Sequence, residues 1–252
     1  MARQLKWLSD AEWAKIEPLL PQGRSGALRV DDRRVISGIV HMLKSGARWR
    51  DCPPEYRPYT TIYNRFHRWS RQGVWFAVFE ALTGHSGAWG SVAIDSTSIK
   101  VHRSAAGAKG AFVQGIGTSR GGRTSKIHGL TDTAGRPRIP LISPGNTSDM
   151  TMAPALIEAA RGRFDALIAN RGYDSNAIRA AVQAQNAEVV IPSTRSRKTA
   201  IPYDRYVYRS RNLVERLWCR LKDWRRIATR YDKLAANYMA RVFLAAAIIF
   251  WC

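Results

Sequence analysis

Val92-Ala93-Ile94-Asp95-Ser96-Thr97-Ser98-Ile99-Lys100-Val101 reads as a buried β-strand interrupted by one carboxylate. A second run, Phe164-Asp165-Ala166-Leu167-Ile168-Ala169-Asn170-Arg171-Gly172-Tyr173-Asp174-Ser175, reads as a strand that ends in a polar turn. Outward from these, the pattern predicts a strand over 91–101, a loop rich in Gly, Ser and Arg over 103–123, and strands over 124–132 and 137–143 around the Ala134-Gly135 turn. Next come a helix over 151–161, a strand over 164–170, a helix over 174–186, a strand over 187–192, a basic loop, and helices over 207–228 and 234–251. Three meandering strands followed by alternating helices and strands predict an α/β domain.

Within the helix predicted over 207–228, Tyr208, Arg211, Glu215 and Lys222 are spaced i, i+3, i+7 and i+14. At about 100° per residue they fall within about 60° of one another. One stripe thus carries a carboxylate flanked by a phenol, a guanidinium and an ammonium, while Leu213, Val214, Leu217, Leu221 and Trp224 form a dry back. Taken alone, the stripe reads as a solvated face with i,i+4 ion pairs. An acid in a strand (Asp95), a polar group at a strand end (Asn170) and an acid on a late helix (Glu215) together match the ligand layout of a two-metal phosphoryl-transfer site.

The Tyr208-Arg211-Glu215-Lys222 signature, the Ile94-Asp95-Ser96-Thr97 strand and the Arg171-Gly172-Tyr173-Asp174-Ser175 turn together resemble the DDE transposases of bacterial insertion sequences, most closely the insertion sequence five family, over nearly the whole chain. The resemblance implies an α/β ribonuclease H-like catalytic domain at 88–252, preceded by an all-α, helix-turn-helix-like DNA-binding domain at 1–85. It implies strand cleavage and strand transfer with Mg²⁺ or Mn²⁺ held by Asp95, Asn170 and Glu215, while Tyr208, Arg211 and Lys222 position phosphates. The partners implied are double-stranded DNA, as terminal inverted repeats and as target, and a second copy of the chain in a homodimer; no membrane is involved. The family has an aspartate where this chain has Asn170, and asparagine keeps one ligand oxygen while removing a negative charge. Asp165 lies about 16 Å of extended strand away and Asp174 past the turn, so neither substitutes. Arg57, Thr118 and Arg241 are smaller departures from the family pattern. Two alternatives stay open: a catalytically dead remnant that only binds DNA, and a structure-selective nuclease with the same metal core.

In the N-terminal part, Ser9-Asp10-Ala11-Glu12 predicts a capping box opening a helix that Pro21 closes. Val35, Ile36, Ile39, Val40 and Leu43 give a second helix its stripe, ended by Gly46. A third runs from Tyr59 to a stop at Gly73, with Ile62, Phe66 and Trp69 inward and Thr61, Asn64, Arg65 and Arg68 outward, as in a helix that reads bases after a tight turn. Gly84-His85-Ser86-Gly87 is the expected hinge.

Forty Lys and Arg against 19 acids leave a net charge of +21, which points to a polyanionic partner and carries no sequence preference of its own. The excess concentrates between Ile191 and Lys233, with thirteen bases, Arg226 among them, and four acids. It recurs in the loop carrying Lys109, Arg120 and Arg123, expected to be a flexible arm that orders on DNA. Its Gly115-x-Gly117 opens no helix after a strand and makes a poor nucleotide cradle. His128 is expected to be a hydrogen-bonding structural histidine, and Trp218 to border the polar stripe within reach of a flipped base. Three scattered cysteines argue for a reducing compartment and against disulfides or zinc, and the apolar run from Val242 to Cys252 covers about half a membrane span. The expected location is the bacterial cytoplasm, associated with the nucleoid.

Overall fold

The computed structural model describes residues 4–21, 31–84, 87–107 and 110–252. The chain divides into two compact units: one gathers Met1–His85, His102–Ala105 and Leu221–Cys252, and the other Ser86–Val101 and Ala106–Arg220. A single cut near residue 86 therefore misses the C-terminal segment, which packs with the N-terminal helices. His85 and Ser86 of the expected hinge lie outside the described residues.

The helical unit opens with α1 (Asp10–Ile16), where the Ser9 hydroxyl accepts from the Glu12 amide and Glu12 accepts from the Ser9 amide. The helix ends earlier than expected, because Pro18 draws the chain into a 3₁₀ turn at Glu17–Leu19. α2 (Asp32–Ser45) buries Val35, Ile36, Ile39, Val40 and Leu43 and stops at Gly46, whose φ of 77° needs a residue without a Cβ. Between α2 and α3 (Tyr59–Arg71) stand two 3₁₀ turns, Trp49–Asp51 and Pro54–Tyr56, in place of a tight turn. α4 (Val74–Gly84) follows, and the last helix, buried along most of its length, packs on α2, α3 and α4.

Ile62, Phe66 and Trp69 of α3 are buried as expected, and Asn64 and Arg68 are exposed. Arg65 is a correction. It is buried, ion-paired with Asp32 and stacked 4.8 Å from the Trp69 ring centre, so it supports the helix pair and has no base to read. Arg241 likewise pairs with Asp232 and lies over Trp49 and Phe66, a reason for its presence in an apolar helix.

The α/β unit is built on β1 (Ser91–Val101), with the strand order β2 (Gly117–Ser119), β3 (Gly122–Thr131), β1, β5 (Ala166–Ile168), β6 (Glu188–Val190), and β4 (Leu141–Pro144) on β3. The β1–β3, β2–β3 and β3–β4 pairs are antiparallel, and the β1–β5 and β5–β6 pairs are parallel. Two helices, α5 (Asp149–Ala159) and α6 (Asn176–Gln183), cover a core of Val92, Ile94, Leu156, Phe164, Leu167, Ile178 and Val182. Each fully buried aliphatic or phenyl side chain there contributes roughly 1.5–3 kcal/mol of transfer free energy. The loop expected to be a flexible arm is largely turn and hairpin. Gly117 faces Asn146 and Pro144 where a Cβ would clash, and Arg123 donates to the Ala106 carbonyl, while Arg120 stands exposed at the hairpin tip. Lys109 lies outside the described residues.

Arg57 holds φ 129°, a backbone region that suits glycine and strains a side chain. Arg57→Gly should raise unfolding free energy by about 1 kcal/mol, the strain relief exceeding the added entropy of the unfolded chain. Urea denaturation of both proteins reads this directly.

Candidate functional site

Asp95 sits on the central strand, with Gly129 of β3 as its antiparallel partner. A Cβ at Gly129 would stand 3.1 Å from the Trp218 ring, so the glycine leaves the space into which α7 (Asn212–Lys222) drives that indole. Trp218 is buried against the sheet and is not a surface for a flipped base, which corrects the expectation from the helical wheel. It lies one turn beyond Glu215 and so fixes where that acid stands.

The helix predicted over 207–228 is broken into pieces. A turn at Arg205–Tyr208, capped by the Asp204 carboxylate, leads through a 3₁₀ turn at Arg209–Arg211 into α7, and the chain bends before a last turn at Arg225–Ala228. Tyr208 therefore precedes the helix of Glu215 and packs edge-on against Tyr203, with ring centres 5.4 Å apart. Val214, Leu217 and Leu221 form the dry back. Lys222 ends α7 and falls with the helical unit.

Arg211 joins the two acids. One terminal nitrogen donates to Glu215 Oε1 at 2.7 Å and the other reaches Asp95 Oδ2 at 3.4 Å, across 116 residues of sequence. Burial pushes the Asp95 carboxyl upward and the charges of Asp149 and Glu215 add to this, while the Ser96 amide and Arg211 hold it back.

Asn170 follows β5, which pairs in parallel with β1 through Ala93 and Ile168. Carrying that register two residues on sets Asn170 abreast of Asp95, on the same face. Its side-chain oxygen accepts from the Gly172 amide at 2.7 Å and caps the 3₁₀ turn Arg171–Tyr173. A Cβ at Gly172 would lie 2.7 Å from that oxygen, so a larger residue there would push the capping side chain aside. Asp174 is committed elsewhere: burial opposes its charge, but hydrogen bonds from Arg197, the Thr194 amide and Arg179 hold it well below the carboxylate range. Asp165 is exposed at the far end of β5.

The sequence assigns Tyr173, Asp149 and Lys126 no place here, whereas His128 is expected as a structural residue. Tyr173 is buried, and its hydroxyl is raised by burial and by the charges of Asp149 and Asp95. Asp149, the first residue of α5, takes a 2.9 Å hydrogen bond from Lys126. His128 is fully buried, with Nε2 2.7 Å from the Ser143 hydroxyl and Nδ1 3.8 Å from Asp149, as fits a structural histidine. Only Tyr173 carried a signal, as part of the Arg171-Gly172-Tyr173 turn; Asp149 and Lys126 meet through strand pairing that no local pattern announces.

Not every base in the basic stretch faces outward. Arg226, expected on DNA, is buried, donates to the Ala47 carbonyl at 3.0 Å and lies 5.1 Å from the Trp49 ring centre. Burial lowers it to about 10. Arg230 is buried over Tyr238, and Arg197 binds Asp174. Arg195, Lys198, Arg205, Arg209, Arg216 and Arg225 remain exposed.

Residues 91–250 match the family described as "Transposase DDE domain", and residues 8–79 match "Putative transposase of IS4/5 family". The chain belongs to the DDE transposases of insertion sequences. Among curated proteins it is similar to "Putative transposase for insertion sequence element IS6501" of Brucella ovis, 32% identical over 50% of this chain and 97% of that protein. It also resembles "Uncharacterized protein y4sN" of Sinorhizobium fredii, 33% identical over 40% of this chain and 82% of that one. A solved piggyBac transposase synaptic complex with hairpin DNA aligns with TM-score 0.41 and 12% identity over 76% of this chain; the chain spans 48% of that protein, and so distant a likeness carries no weight for the site.

Burial lowers His128 to about 4, below the value near 6.5 of an unfolded histidine. The unfolded chain thus binds a proton that the folded chain refuses, so stability should fall as pH drops from about 6.5 to about 4, by up to ~1.4 kcal/mol per unit from this group. His128→Gln should remove that component. The check is a urea series at successive pH values, and equal slopes in the two proteins would contradict it.

Proposed function

We propose that the chain is an insertion-sequence transposase whose α/β unit is ribonuclease H-like and whose substrate is the DNA of element ends and target. The observation that carries this is the meeting of Asp95 and Glu215 at one guanidinium, from a central strand and a late helix, with Asn170 abreast. The order β3, β1, β5, β6, antiparallel then parallel, supports the fold reading. Among the described residues no helix is long and apolar enough to cross a membrane. We place the protein in the cytoplasm, acting as a homodimer, in line with the sequence resemblance.

Two carboxylates and an amide oxygen are hard donors that suit Mg²⁺ or Mn²⁺. Asp95 and Glu215 would hold the cation with Asn170 contributing a neutral oxygen, one negative charge short of the pattern the family resemblance implies. A bound cation supplies activation of the attacking water or 3′-hydroxyl and stabilisation of the leaving oxygen. Arg211 holds the two carboxylates face to face beforehand, cancelling part of their repulsion. A phosphate oxygen entering the site can share the same guanidinium, which binds phosphate as readily as carboxylate. On the α/β unit the DNA backbone would lie on exposed bases such as Arg120, Arg123, Arg209 and Arg216, with Tyr208 just before the helix of Glu215; the helical unit would offer Asn64 and Arg68 from α3 and Lys222 from the end of α7.

A second reading, a DNA-binding remnant without chemistry, rests on Asn170 alone. Asn170→Asp separates the two. It should raise Mg²⁺-dependent cleavage of element-end DNA by at least about 10–100-fold and tighten Mn²⁺ binding measured by calorimetry. Cleavage by the unaltered chain at the aspartate form's rate would remove Asn170 from the ligand set.

Two arginines of α3, one exposed and one buried, give a contrast. Arg68→Ala should weaken DNA binding and lower the salt slope by about one while leaving stability within about 0.5 kcal/mol. Arg65→Ala, which deletes a buried guanidinium that pairs with Asp32 and lies over the Trp69 ring, should cost about 1–3 kcal/mol of stability. Salt titrations and urea melts of both variants read the two effects.

A further inference from the structure

The helical unit carries an open groove of about 490 Å³ lined by Arg48, Trp49, Arg50, Tyr59 and Tyr63. Its aromatic walls are held from behind. Trp49 is stacked on Phe66, with ring centres 5.4 Å apart, and backed by the Arg226 and Arg241 guanidinium groups at 5.1 and 5.9 Å. Tyr63 meets Trp49 edge-on at 5.6 Å and lies parallel to the His67 ring at 5.8 Å, and His67 in turn is 3.0 Å from Asn237 of the last helix. The groove face is open: Tyr59 is 44% exposed and Tyr63 40%. These two are one helical turn apart on α3, about 5–6 Å between Cβ atoms, so a flat ring can lie across both.

Exposed, rigid tyrosines cost little ordering entropy on binding and offer π-faces, and the arginines at the rim offer charge. Arg50 is exposed, and Arg48, exposed as well, pairs with Asp51. An aliphatic protein partner would find no matching surface there, whereas a nucleic acid strand presents a base for the rings and a phosphate for the guanidinium groups. The bases of an intact duplex have their faces covered by their neighbours, so the occupant must be unstacked.

We propose that this groove seats an unpaired nucleobase of a DNA strand, stacked on Tyr59 and Tyr63, with the adjoining phosphate on Arg50. The inference rests on the reading of the chain as a DNA-binding transposase. It gives buried Arg226 and Arg241 a purpose: they fix the indole against which the base-binding face is built.

The test uses the full chain, fluorescence anisotropy at fixed salt, and three probes: a labelled oligothymidylate, an abasic strand of equal length, and a duplex. The chain should bind oligothymidylate at least about 5-fold more tightly than the abasic strand, the lower end of what stacking one base contributes. Tyr59→Ala/Tyr63→Ala should abolish that preference without changing affinity for the abasic strand, and Tyr59→Phe/Tyr63→Phe should keep it. Both side chains are exposed, so an unchanged melting temperature verifies that the fold is retained. Equal binding of the two strands by the unaltered chain, or a preference that survives the alanine pair, overturns the groove while duplex binding stands. Failure to bind any of the three overturns the DNA-binding reading and the groove with it.

Discussion

One guanidinium shared between two carboxylates organises the α/β unit around its site. Asp95 on β1 and Glu215 on α7 would repel each other across a partly dry gap, at an effective dielectric well below that of water. Arg211 offsets that repulsion from within the signature helix itself, through nitrogens 2.7 and 3.4 Å from the two acids. The arrangement requires α7 to lie close to β1. Gly129 makes this possible, because removing one Cβ opposite Asp95 admits the Trp218 indole. The acid, the glycine, the indole and the guanidinium form one chain of cause: strand register sets the gap, the gap sets the helix, and the helix delivers both Arg211 and Glu215.

Charge counting says less than it first appears to about where a polyanion would lie. A net +21 points to a polyanionic partner. It does not separate solvated arginines from those used as flat, delocalised packing groups, and this chain uses several in that second way. Arg65 stacks on Trp69, Arg226 and Arg241 on Trp49, and Arg230 on Tyr238. Guanidinium is weakly hydrated and tolerates such sites when its N–H groups find carbonyls or carboxylates. Carbonyl oxygens of Ala47, Asp232 and Lys233 serve Arg226 and Arg230, and Asp32 and Asp232 serve Arg65 and Arg241. A sequence clue existed in the density of tryptophan and tyrosine around these positions, though periodicity cannot say which ring meets which arginine.

What was legible in the sequence was local or periodic. The Ser9–Glu12 capping box, the Gly46 stop, the apolar stripes of α2 and α3, the strand carrying Asp95 and the turn after Asn170 all follow from spacing and backbone preference. What was not legible depends on tertiary pairing. The Lys126–Asp149 bond and the His128 contact arise because β3 places Lys126 and His128 toward the start of α5, and the segment before β3 folds back through Gly117 onto Pro144 and Asn146. The helical wheel failed at Trp218 and Tyr208 for one reason: it assumed an unbroken helix with one dry side, whereas a 3₁₀ turn before Asn212 and a glycine in the facing strand reset which residues point inward.

Asn170 gains meaning from its second task. Its side-chain oxygen caps the turn Arg171–Tyr173, and at such a position asparagine and aspartate serve about equally well. The fold is therefore nearly indifferent to which of the two stands there. A cation held as proposed between Asp95 and Glu215 would not be, because an asparagine at this position brings it no charge. On the proposed reading, an exchange at this position would leave folding, packing and the binding of DNA by distant basic residues unchanged and act on chemistry alone. That separation follows from the geometry: the oxygen that caps the turn is common to both side chains, and the charge is not.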